Sequence, residues 1–366
     1  MAFHKNYNQY LRIIITMHNR NFLSRIIPYY QVFKEKYNID VIIADSSEKP
    51  SNFDFGNIEY KYYGPKKNFF KLRAEVYKTK TKYLMLFGDD DFLVPESCIK
   101  CLDFLIDNPN YTVCYGRTIT FKDQINPEIT NRYQFKNYEN LKNKPYINDR
   151  LKRIDLLFDN FFMLNNSIIK TDVYKKSRIL DFSKSFFAYK YSDFTRAHFY
   201  LFEGDFKIIP HIFMLRSNTR TIHNNNLKKK MDINIEKDLS DYLNDTLSSP
   251  NPIIQYLTKK YGYNKNDISF FHGYIYGKYL QQRLSGELWK IPNDQIEKEK
   301  TLLLKNLDIK KILGLVDNYH SNNENLKEKS QNNYNNINSK FNKSKKKKIF
   351  KSLIIKILRK LKDFFN

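Results

Sequence analysis

Three short apolar runs and one mixed, tyrosine-rich run divide the N-terminal quarter of the chain, and polar or turn-forming residues follow each of them. The apolar runs cover residues 11–16, 39–44 and 83–87, and the mixed run covers 58–63. Continuous apolar runs of this length are typical of strands buried on both faces of a parallel sheet, and the mixed run predicts a further strand. Segments with helical spacing lie between them at 22–36 and 69–80, and Pro28 is expected to kink the first helix or to mark its true start. The pattern predicts an α/β domain with a mostly parallel central sheet flanked by helices.

The alternation continues to residue 216 in a less regular form. It predicts a helix at about 96–108, a strand at 111–121, a helix that begins near Ser192 and Asp193 and ends at Gly204, and an extended segment at 206–215. Residues 122–150 are irregular and polar, as expected of a substrate-facing insertion or a loop. A mixed stretch at 154–169 precedes a further short helix that is expected to end near Lys176.

Polar side chains follow three of the predicted strands at the points where the strands end. Asn19 and Arg20 follow the first strand, Asp45 follows the second, and three adjacent aspartates follow the apolar run 83–87 and Gly88. Ligands of open α/β sheets bind beyond the carboxyl ends of the parallel strands. The sequence therefore predicts a binding site at this edge of the sheet.

The three adjacent aspartates, Asp89, Asp90 and Asp91, are candidate metal ligands. Neighbouring carboxylates repel one another, and a cation lowers the free-energy cost of keeping them ionised near an apolar core. Hard oxygen ligands suit Mg²⁺ or Mn²⁺, which commonly combine one or two carboxylates with phosphate oxygens of a substrate. The alternative is an acidic turn that caps the following helix, because Asp also favours turns and helix starts.

The chain is strongly basic, with a formal net charge of +24. A basic surface attracts nucleic acid, anionic lipid or anionic substrates, and net charge does not choose among them. The three cysteines are too few for a disulfide framework, and the C-x-x-C of Cys98 and Cys101 lies in a predicted helix without a second pair, which favours core packing over a zinc or redox role. No signal-peptide pattern and no run of 18 apolar residues is visible, so the expected compartment is the cytoplasm.

Beyond residue 223 the composition changes three times. Residues 224–317 are polar with helical spacing, have stops at Pro250, Pro252 and Gly262, and predict a small helical appendage. Residues 318–344 are rich in Asn, Ser and Lys and predict a flexible tether. In residues 345–366, apolar positions recur at helical spacing among basic ones, and the last 26 residues contain ten Lys or Arg and one Asp.

This tail pattern is typical of a basic amphipathic helix that lies in the interface of an anionic membrane. Two alternatives are a helix docked on the body of the protein and a nucleic-acid-binding tail. The predicted tether argues against docking, and the apolar stripe argues against nucleic acid.

Four blocks of the sequence, in their order and spacing, resemble the GT-A glycosyltransferases over residues 10–216, and the family 2-like bacterial enzymes in particular. The blocks are the turn Thr16-Met17-His18-Asn19-Arg20, like the T-x-N-R turn of the family; Asp45 at the end of the second strand; the D-x-D-type cluster Asp89, Asp90 and Asp91 with Phe92 and Pro95; and Ser192-Asp193 with Gly204 and Arg216. There are two departures. Ser192 stands where the family usually has Glu, and the acidic cluster aligns in two registers because Gly88 can take the place of the first acid.

The resemblance implies a role for each block. The implied residues that bind the sugar donor are Thr16, Asn19, Arg20, Asp45 at the base, Asp89 near the ribose, and Lys67 or its neighbour Lys66. Asp90 and Asp91 would bind Mn²⁺ or Mg²⁺. Arg220 and His223 would contact the diphosphate. Asp193 is the predicted general base for the acceptor hydroxyl, and a helix cap is the alternative role for this residue. His198 and His211 are predicted to be packing residues.

The implied function is a metal-dependent inverting glycosyltransferase. Its donor would be a nucleotide-diphosphate sugar, and its acceptor a growing cell-surface glycan such as capsule or lipopolysaccharide, free or lipid-linked, at the cytoplasmic face of a bacterial membrane. The implied catalytic domain covers 1–223, with a nucleotide-sugar half at about 10–120 and an acceptor half at 121–223, followed by the appendage, the tether and the tail helix at 345–366. A basic nucleic-acid-binding protein, with salt-dependent affinity, and a retaining transferase on the same scaffold are the alternatives. Specific nucleic-acid binding is not expected under the main hypothesis.

Overall fold

The computed structural model of the chain describes residues 6–18, 23–65, 74–121, 141–159 apart from 142, 164–178 apart from 165, 192–217 and 252–268, with Phe271 and Ile275. Within these ranges the strands are β1 Leu11–Met17, β2 Asp40–Asp45, β3 Glu59–Tyr62, β4 Tyr83–Gly88, β5 Phe92–Leu93, β6 Tyr111–Phe121, β7 Ile168–Lys170 and β8 Asp205–Ser217. The helices are α1 Leu23–Tyr37, α2 Pro95–Asp107, α3 Arg150–Asp159, α4 Thr171–Ser177, α5 Ser192–Glu203 and α6 Pro252–Tyr261. Residues 74–78 form a further short helical segment.

The strands form one eight-stranded sheet in the order β3-β2-β1-β4-β7-β6-β8-β5. The first four strands in this order are parallel, and β6 and β8 are also parallel to each other. β7 runs antiparallel to both of its neighbours, and β5 runs antiparallel to β8. The predicted α/β class with a mostly parallel sheet is confirmed, whereas the short strand β7 lies in a mixed stretch where the sequence predicted no strand.

The core consists of the central strands and the helices that cover them. The apolar side chains of β1, β2 and β4 are almost all fully buried, as the continuous apolar runs predicted. α1 packs on them through Ile26, Ile27, Tyr30 and Phe33. Pro28 lies inside α1 on its exposed side, so the prediction that it marks the start of the helix is wrong. The pyrrolidine ring of Pro28 is tolerated at this exposed position, because the contacts that hold the helix are made by its buried face.

The three cysteines lie in the core between α2 and β6. Cys98, Cys101 and Cys114 are free thiols and fully buried, and burial raises the pKa of the Cys98 and Cys101 thiols. A buried neutral thiol packs as a small apolar side chain. The packing role predicted for the C-x-x-C is therefore confirmed.

The described part of the predicted appendage is helix α6, which packs on α5, together with residues 262–268, Phe271 and Ile275. The helix begins at Pro252 and ends before Gly262, whose φ of +68° stops it, as the sequence predicted. Glu203, at the end of α5, accepts hydrogen bonds from the hydroxyls of Tyr256 and Tyr261 at 2.5 and 2.8 Å and pairs with Lys260. The rest of the appendage, the tether and the tail helix lie outside the described residues. Within the described ranges, every helix is too short or too polar to cross a lipid bilayer.

A buried carboxylate fixes the helical segment 74–78 against β3. Glu75 is fully buried and accepts hydrogen bonds from Lys61 at 3.0 Å and Lys78 at 3.1 Å. Burial by itself would raise the pKa of Glu75, but the Tyr63 hydroxyl and the two ammonium groups lower it to about 2. Because the folded-state pKa lies below the ordinary value, ionised Glu75 stabilises the fold above about pH 4.5.

The substitution Glu75→Gln is expected to lower the free energy of unfolding by about 2 kcal/mol at pH 7, since the two ammonium groups lose their buried partner. The difference from the unchanged protein should shrink as the pH falls from about 4.5 towards 2, where the unfolded chain already binds the proton. Urea unfolding at a series of pH values measures both effects. The exposed control Glu35→Gln should change stability by less than about 0.5 kcal/mol at every pH. A pH-independent difference for Glu75→Gln would contradict the assignment.

Candidate active site

Three parallel strands end at the same level on one edge of the sheet. In the register of the sheet, Met17 of β1 lies beside Asp45 of β2, and Thr16 lies beside Gly88 of β4. The Thr16 hydroxyl donates to the carbonyl of Phe87 at 3.1 Å, which ties β1 to β4 at this end. Asp45 and the acidic turn after Gly88 are therefore brought to one edge, as the sequence predicted.

Asp45 is held in a fully buried position at the end of β2. Its Oδ1 accepts from the backbone N–H of Ser47 at 2.7 Å, and its Oδ2 accepts from the hydroxyl of Tyr60 at 2.6 Å. Burial and the Asp45 carboxylate raise the pKa of Tyr60 to about 12, so this hydroxyl stays protonated and donates. The ring of Tyr60 also stacks on Phe55, with centroids 4.1 Å apart. Asp45 is thus fixed by protein donors, and each of its carboxylate oxygens accepts a hydrogen bond.

The Tyr60 hydroxyl is a testable support of this edge. Tyr60→Phe leaves the buried Asp45 carboxylate with one donor fewer and is expected to lower the free energy of unfolding by about 1–2 kcal/mol. The matched control is Tyr62→Phe, because the more exposed Tyr62 hydroxyl donates only to the Glu48 carbonyl. Thermal unfolding should show a larger fall in Tm for Tyr60→Phe than for Tyr62→Phe. Equal shifts would mean that the contact with Asp45 contributes nothing specific.

A second contact joins the ends of β1 and β2. His18 Nδ1 lies 2.9 Å from the carbonyl oxygen of Ser46 and 3.0 Å from its hydroxyl oxygen. The Ser46 hydroxyl donates to the carbonyl of Met17 at 2.9 Å. Because a carbonyl only accepts, this geometry favours the tautomer with the proton on Nδ1. His18, the first residue after β1, is therefore fixed beside the end of β2.

The acidic turn after β4 presents three carboxylates in different environments. Asp89 and Asp91 are 2% and 5% exposed, whereas Asp90 is half-buried and is the most accessible to solvent. The Asp90 carboxylate folds back over Gly88, since a Cβ at Gly88 would lie 2.7 Å from Asp90 Oδ1. A side chain at the end of β4 would therefore displace the Asp90 carboxylate.

Asp91 connects the acidic turn to the end of β8. Its Oδ1 accepts from the backbone N–H of Ser217 at 3.0 Å, and its carbonyl accepts from the buried Tyr30 hydroxyl at 3.4 Å. Arg216 and Asp91 both lie close enough to Tyr115 to affect its pKa, which burial raises to about 12. The predicted strand ending in Arg is confirmed, and it ends beside the acidic turn.

The carboxylates of the acidic turn suit a metal site in which a bound substrate supplies the remaining ligands. Among the described residues, no three His, Cys, Asp or Glu side chains converge as a metal cage would require. Mg²⁺ and Mn²⁺ sites in phosphate-handling enzymes commonly use one or two carboxylates and take further ligands from phosphate and water. Asp90 and Asp91 fit such a partial set, with Asp90 half-buried and Asp91 anchored by Ser217.

Helix α5 is held at its C-terminal end beside the start of β6. It is joined to β8 through Gly204, and the carbonyl of Tyr200 accepts from the Thr112 hydroxyl at 2.8 Å. Asp193 is in the first turn of this helix. The side chain of Asp193 lies outside the described residues.

Five predicted site residues cannot be placed relative to this edge. Asn19, Arg20, Lys67, Arg220 and His223 all lie outside the described residues. The two histidines predicted to pack are described: His198 is buried, and His211 is half-buried with Nε2 3.3 Å from Lys100 Nζ. Burial and the neighbouring Lys100 lower the pKa of His211, so it is a neutral surface contact of α2 and β8.

Sequence analysis missed the residues that hold the candidate site together. The contact of Tyr60 with Asp45 depends on the position of β3 beside β2, and the contact of Ser217 with Asp91 joins residues 126 positions apart. The serine after Asp45 was visible in the sequence as part of a polar turn, but its contact with His18 was not. No pattern of spacing within one segment indicates such pairs.

No protein family model matches the chain, and no curated protein sequence matches it. Its structure is similar to several solved structures. The crystal structure of S. aureus TarS matches 76% of this chain and 55% of its own length, with 10% identity and a TM-score of 0.40, so the chain spans about half of that protein. The structure of TarS residues 1–349 in complex with UDP-GlcNAc matches 86% of this chain and 92% of that chain, with 9% identity and a TM-score of 0.41.

A third solved structure is glucosyl-3-phosphoglycerate synthase from Mycobacterium tuberculosis in complex with Mn²⁺, UDP-glucose and phosphoglyceric acid. It matches 64% of this chain and 80% of that chain, with 8% identity and a TM-score of 0.35. At these identities and TM-scores, the similarity is limited to the general course of the backbone.

Proposed function

We propose that the chain is a glycosyltransferase that moves a sugar from a nucleotide-diphosphate sugar to an acceptor hydroxyl with the help of Mn²⁺ or Mg²⁺. The observation that carries the proposal is the level ending of β2, β1 and β4, which brings Asp45 and the acidic turn to one sheet edge. Parallel sheets bind nucleotides at such an edge. The order of the motifs along the chain supports the same activity.

In this proposal the nucleoside lies over the ends of β1 and β2 and the diphosphate lies over the acidic turn. Asp45 accepts from the base, and the fixed Tyr60 and Ser47 contacts keep its carboxylate oriented. Thr16 at the end of β1, with Asn19, Arg20 and Lys67, completes the donor site, and Asp89 lies near the ribose. Arg220 and His223, which follow β8 in the chain, contact the diphosphate.

Asp90 and Asp91 would hold the metal ion. When bound, Mn²⁺ or Mg²⁺ supplies a positive charge that stabilises the negative charge growing on the leaving diphosphate. The anchoring of Asp91 by Ser217 reduces the freedom of the turn, so its carboxylates lose less conformational entropy when a ligand binds. Asp90, the most exposed of the three, is the carboxylate best placed to reach a bound ion.

Asp193 is the proposed general base. An acceptor hydroxyl must lose its proton as it attacks the anomeric carbon, and a carboxylate within about 2.6–3.2 Å of that hydroxyl can accept it. Asp193 opens the helix that leads through Gly204 into β8, and β8 contacts Asp91 through Ser217. Direct displacement by the acceptor inverts the anomeric configuration. The acceptor we propose is a growing cell-surface glycan, free or lipid-linked, at the inner face of a bacterial membrane to which the basic tail helix binds.

The test is incubation of the full chain with a panel of nucleotide-diphosphate sugars and Mn²⁺ or Mg²⁺. We expect release of nucleoside diphosphate with at least one donor, and its loss on addition of a chelator. No release and no binding of any nucleotide would overturn the proposal. The anomeric configuration of the product separates an inverting from a retaining reaction.

A further inference from the structure

A groove with a volume of about 730 Å³ lies at the end of the sheet opposite to the acidic turn. One wall is the segment 77–82, which leads into β4, and the other wall is the exposed side of α4. Two hydrogen bonds join the walls: Thr171 N–H donates to the Lys82 carbonyl at 3.0 Å, and Lys175 Nζ donates to the Thr79 carbonyl at 2.7 Å. The groove is therefore built between two packed elements of the domain. We refer to it as the lysine groove.

The lysine groove is lined by four ammonium groups and one carboxylate. The charged lining residues are Lys78, Lys80, Lys82, Lys175 and Asp172. Lys78 pairs with the buried Glu75. The carboxylate of Asp172 lies 3.6 Å from the ammonium group of Lys176, a residue that does not line the groove. Lys80 and Lys82 are exposed, and Lys82 Nζ lies 5.6 Å above the Tyr83 ring. An excess of positive charge in a concave site attracts an anionic group.

A buried hydroxyl in the lining adds a second observation. Thr171 is only 5% exposed, and its Oγ1 has no hydrogen-bond partner among the described residues. Buried polar atoms are nearly always satisfied, by protein, water or ligand. Thr79 and Thr81 also line the groove, but their hydroxyls already donate to the carbonyls of Glu75 and Tyr83, each at 2.8 Å. The donors that suit the oxygens of a phosphate group are therefore the lysine ammonium groups, with the Thr171 hydroxyl beside them.

We propose that the lysine groove binds the phosphate headgroup of an anionic membrane lipid. The groove is open and larger than a phosphate ion alone requires, so it accommodates a headgroup that remains attached to the bilayer. Tyr77 in the lining is 44% exposed, and tyrosine is enriched at the level of lipid headgroups. Lysine side chains reach such a surface while their carbon chains stay on the protein.

This placement leaves the candidate active site uncovered. β4 begins beside the groove at Tyr83 and ends at Gly88 before the acidic turn, and six residues of strand span about 20 Å. A domain docked through the groove therefore holds its carboxylate edge about 20 Å from the headgroups. The tail helix predicted at 345–366 would be a second attachment on the same chain, and two linked attachments bind more tightly than either alone.

The test compares charge-reversed variants of the full chain in their binding to vesicles. The groove variant is Lys80→Glu with Lys82→Glu, and the control with equal charge change is Lys152→Glu with Lys259→Glu, two exposed lysines on α3 and α6. Both pairs of substitutions are introduced into a chain that also carries Leu353→Asp and Ile357→Asp. These two changes interrupt the apolar stripe of the predicted tail helix, so that vesicle binding reports on the groove. Vesicles of phosphatidylcholine with phosphatidylglycerol are the probe, and phosphatidylcholine alone is the blank.

We expect the groove variant to lose at least about tenfold in vesicle affinity relative to the control variant, with an unchanged Tm for both. Equal losses for the two variants would mean that only net charge matters and would overturn the proposal. A titration with inorganic phosphate is the second arm. If inorganic phosphate at low millimolar concentration displaces the protein with the unchanged groove from vesicles, the groove binds a soluble phosphate compound and the lipid assignment is wrong. The lipid assignment would also be wrong if the protein bound a DNA duplex more tightly than vesicles and the groove variant lost that DNA binding.

Discussion

Asp193→Asn is expected to lower the rate of sugar transfer by about a hundredfold to ten-thousandfold while nucleotide binding stays the same. An amide cannot accept the proton of the acceptor hydroxyl, so the loss falls on the chemical step. Donor binding should be spared, because none of the proposed donor contacts is on α5. Nucleoside diphosphate release measures the rate, and calorimetric titration with the nucleoside diphosphate measures binding. This is the largest single effect that the proposed mechanism predicts.

The control for Asp193→Asn is Asp149→Asn at the start of α3. The Asp149 carboxylate accepts from the backbone N–H groups of Leu151 and Lys152 at 2.9 and 3.1 Å, which is the contact of a helix cap. Asn caps a helix about as well as Asp, so this control should retain its activity and its Tm. If Asp193→Asn behaves in the same way, Asp193 is a helix cap and has no part in proton transfer.

Asp90→Asn is expected to reduce transfer by about a hundredfold or more and to raise the metal concentration needed for half-maximal activity. Asn keeps the shape of the side chain but removes the charge that attracts the ion, so the stabilisation of the leaving diphosphate is weakened. Steady-state rates across a titration of Mn²⁺ measure both changes. The partial recovery of rate at high Mn²⁺ distinguishes a lost ligand from a lost fold.

Asp107→Asn is the matched control, because Asp107 is an exposed aspartate at the end of α2, away from the sheet edge. It should leave the rate and the metal dependence unchanged. Thermal unfolding should give similar Tm values for Asp90→Asn and Asp107→Asn, since the Asp90 side chain is partly exposed. An unchanged metal dependence in Asp90→Asn would remove this residue from the metal site.

Local pattern predicted most of the secondary structure. Continuous apolar or β-branched runs form the strands β1, β2, β4 and β6. A strand buried on both faces needs apolar residues at successive positions, and this makes the run recognisable in the sequence. Helix α5 and its end at Gly204 were also predicted, because helical spacing and a glycine mark them. A Cβ at Gly204 would lie 2.5 Å from Thr112 Cγ2, which explains why that position has no side chain.

The errors in prediction have a common cause. The strand β7 has three residues, too few for a period to be visible, and it exists because β4 and β6 provide hydrogen-bonding partners on both sides. Helix α3 lies mostly in a mixed stretch, where the sequence predicted no element. In both places the packing of distant segments decides the local structure.

By itself, the sequence determined the α/β class, the parallel opening strands and the types of residue at the ends of those strands, since these depend on burial and on strand period alone. The tertiary structure decided which of those residues meet. The level ending of β1, β2 and β4, the Tyr60 donor on Asp45, and the Ser217 N–H on Asp91 all depend on strand register and on contacts between segments far apart in the chain. Register is set by the packing of the whole sheet, which no single segment encodes.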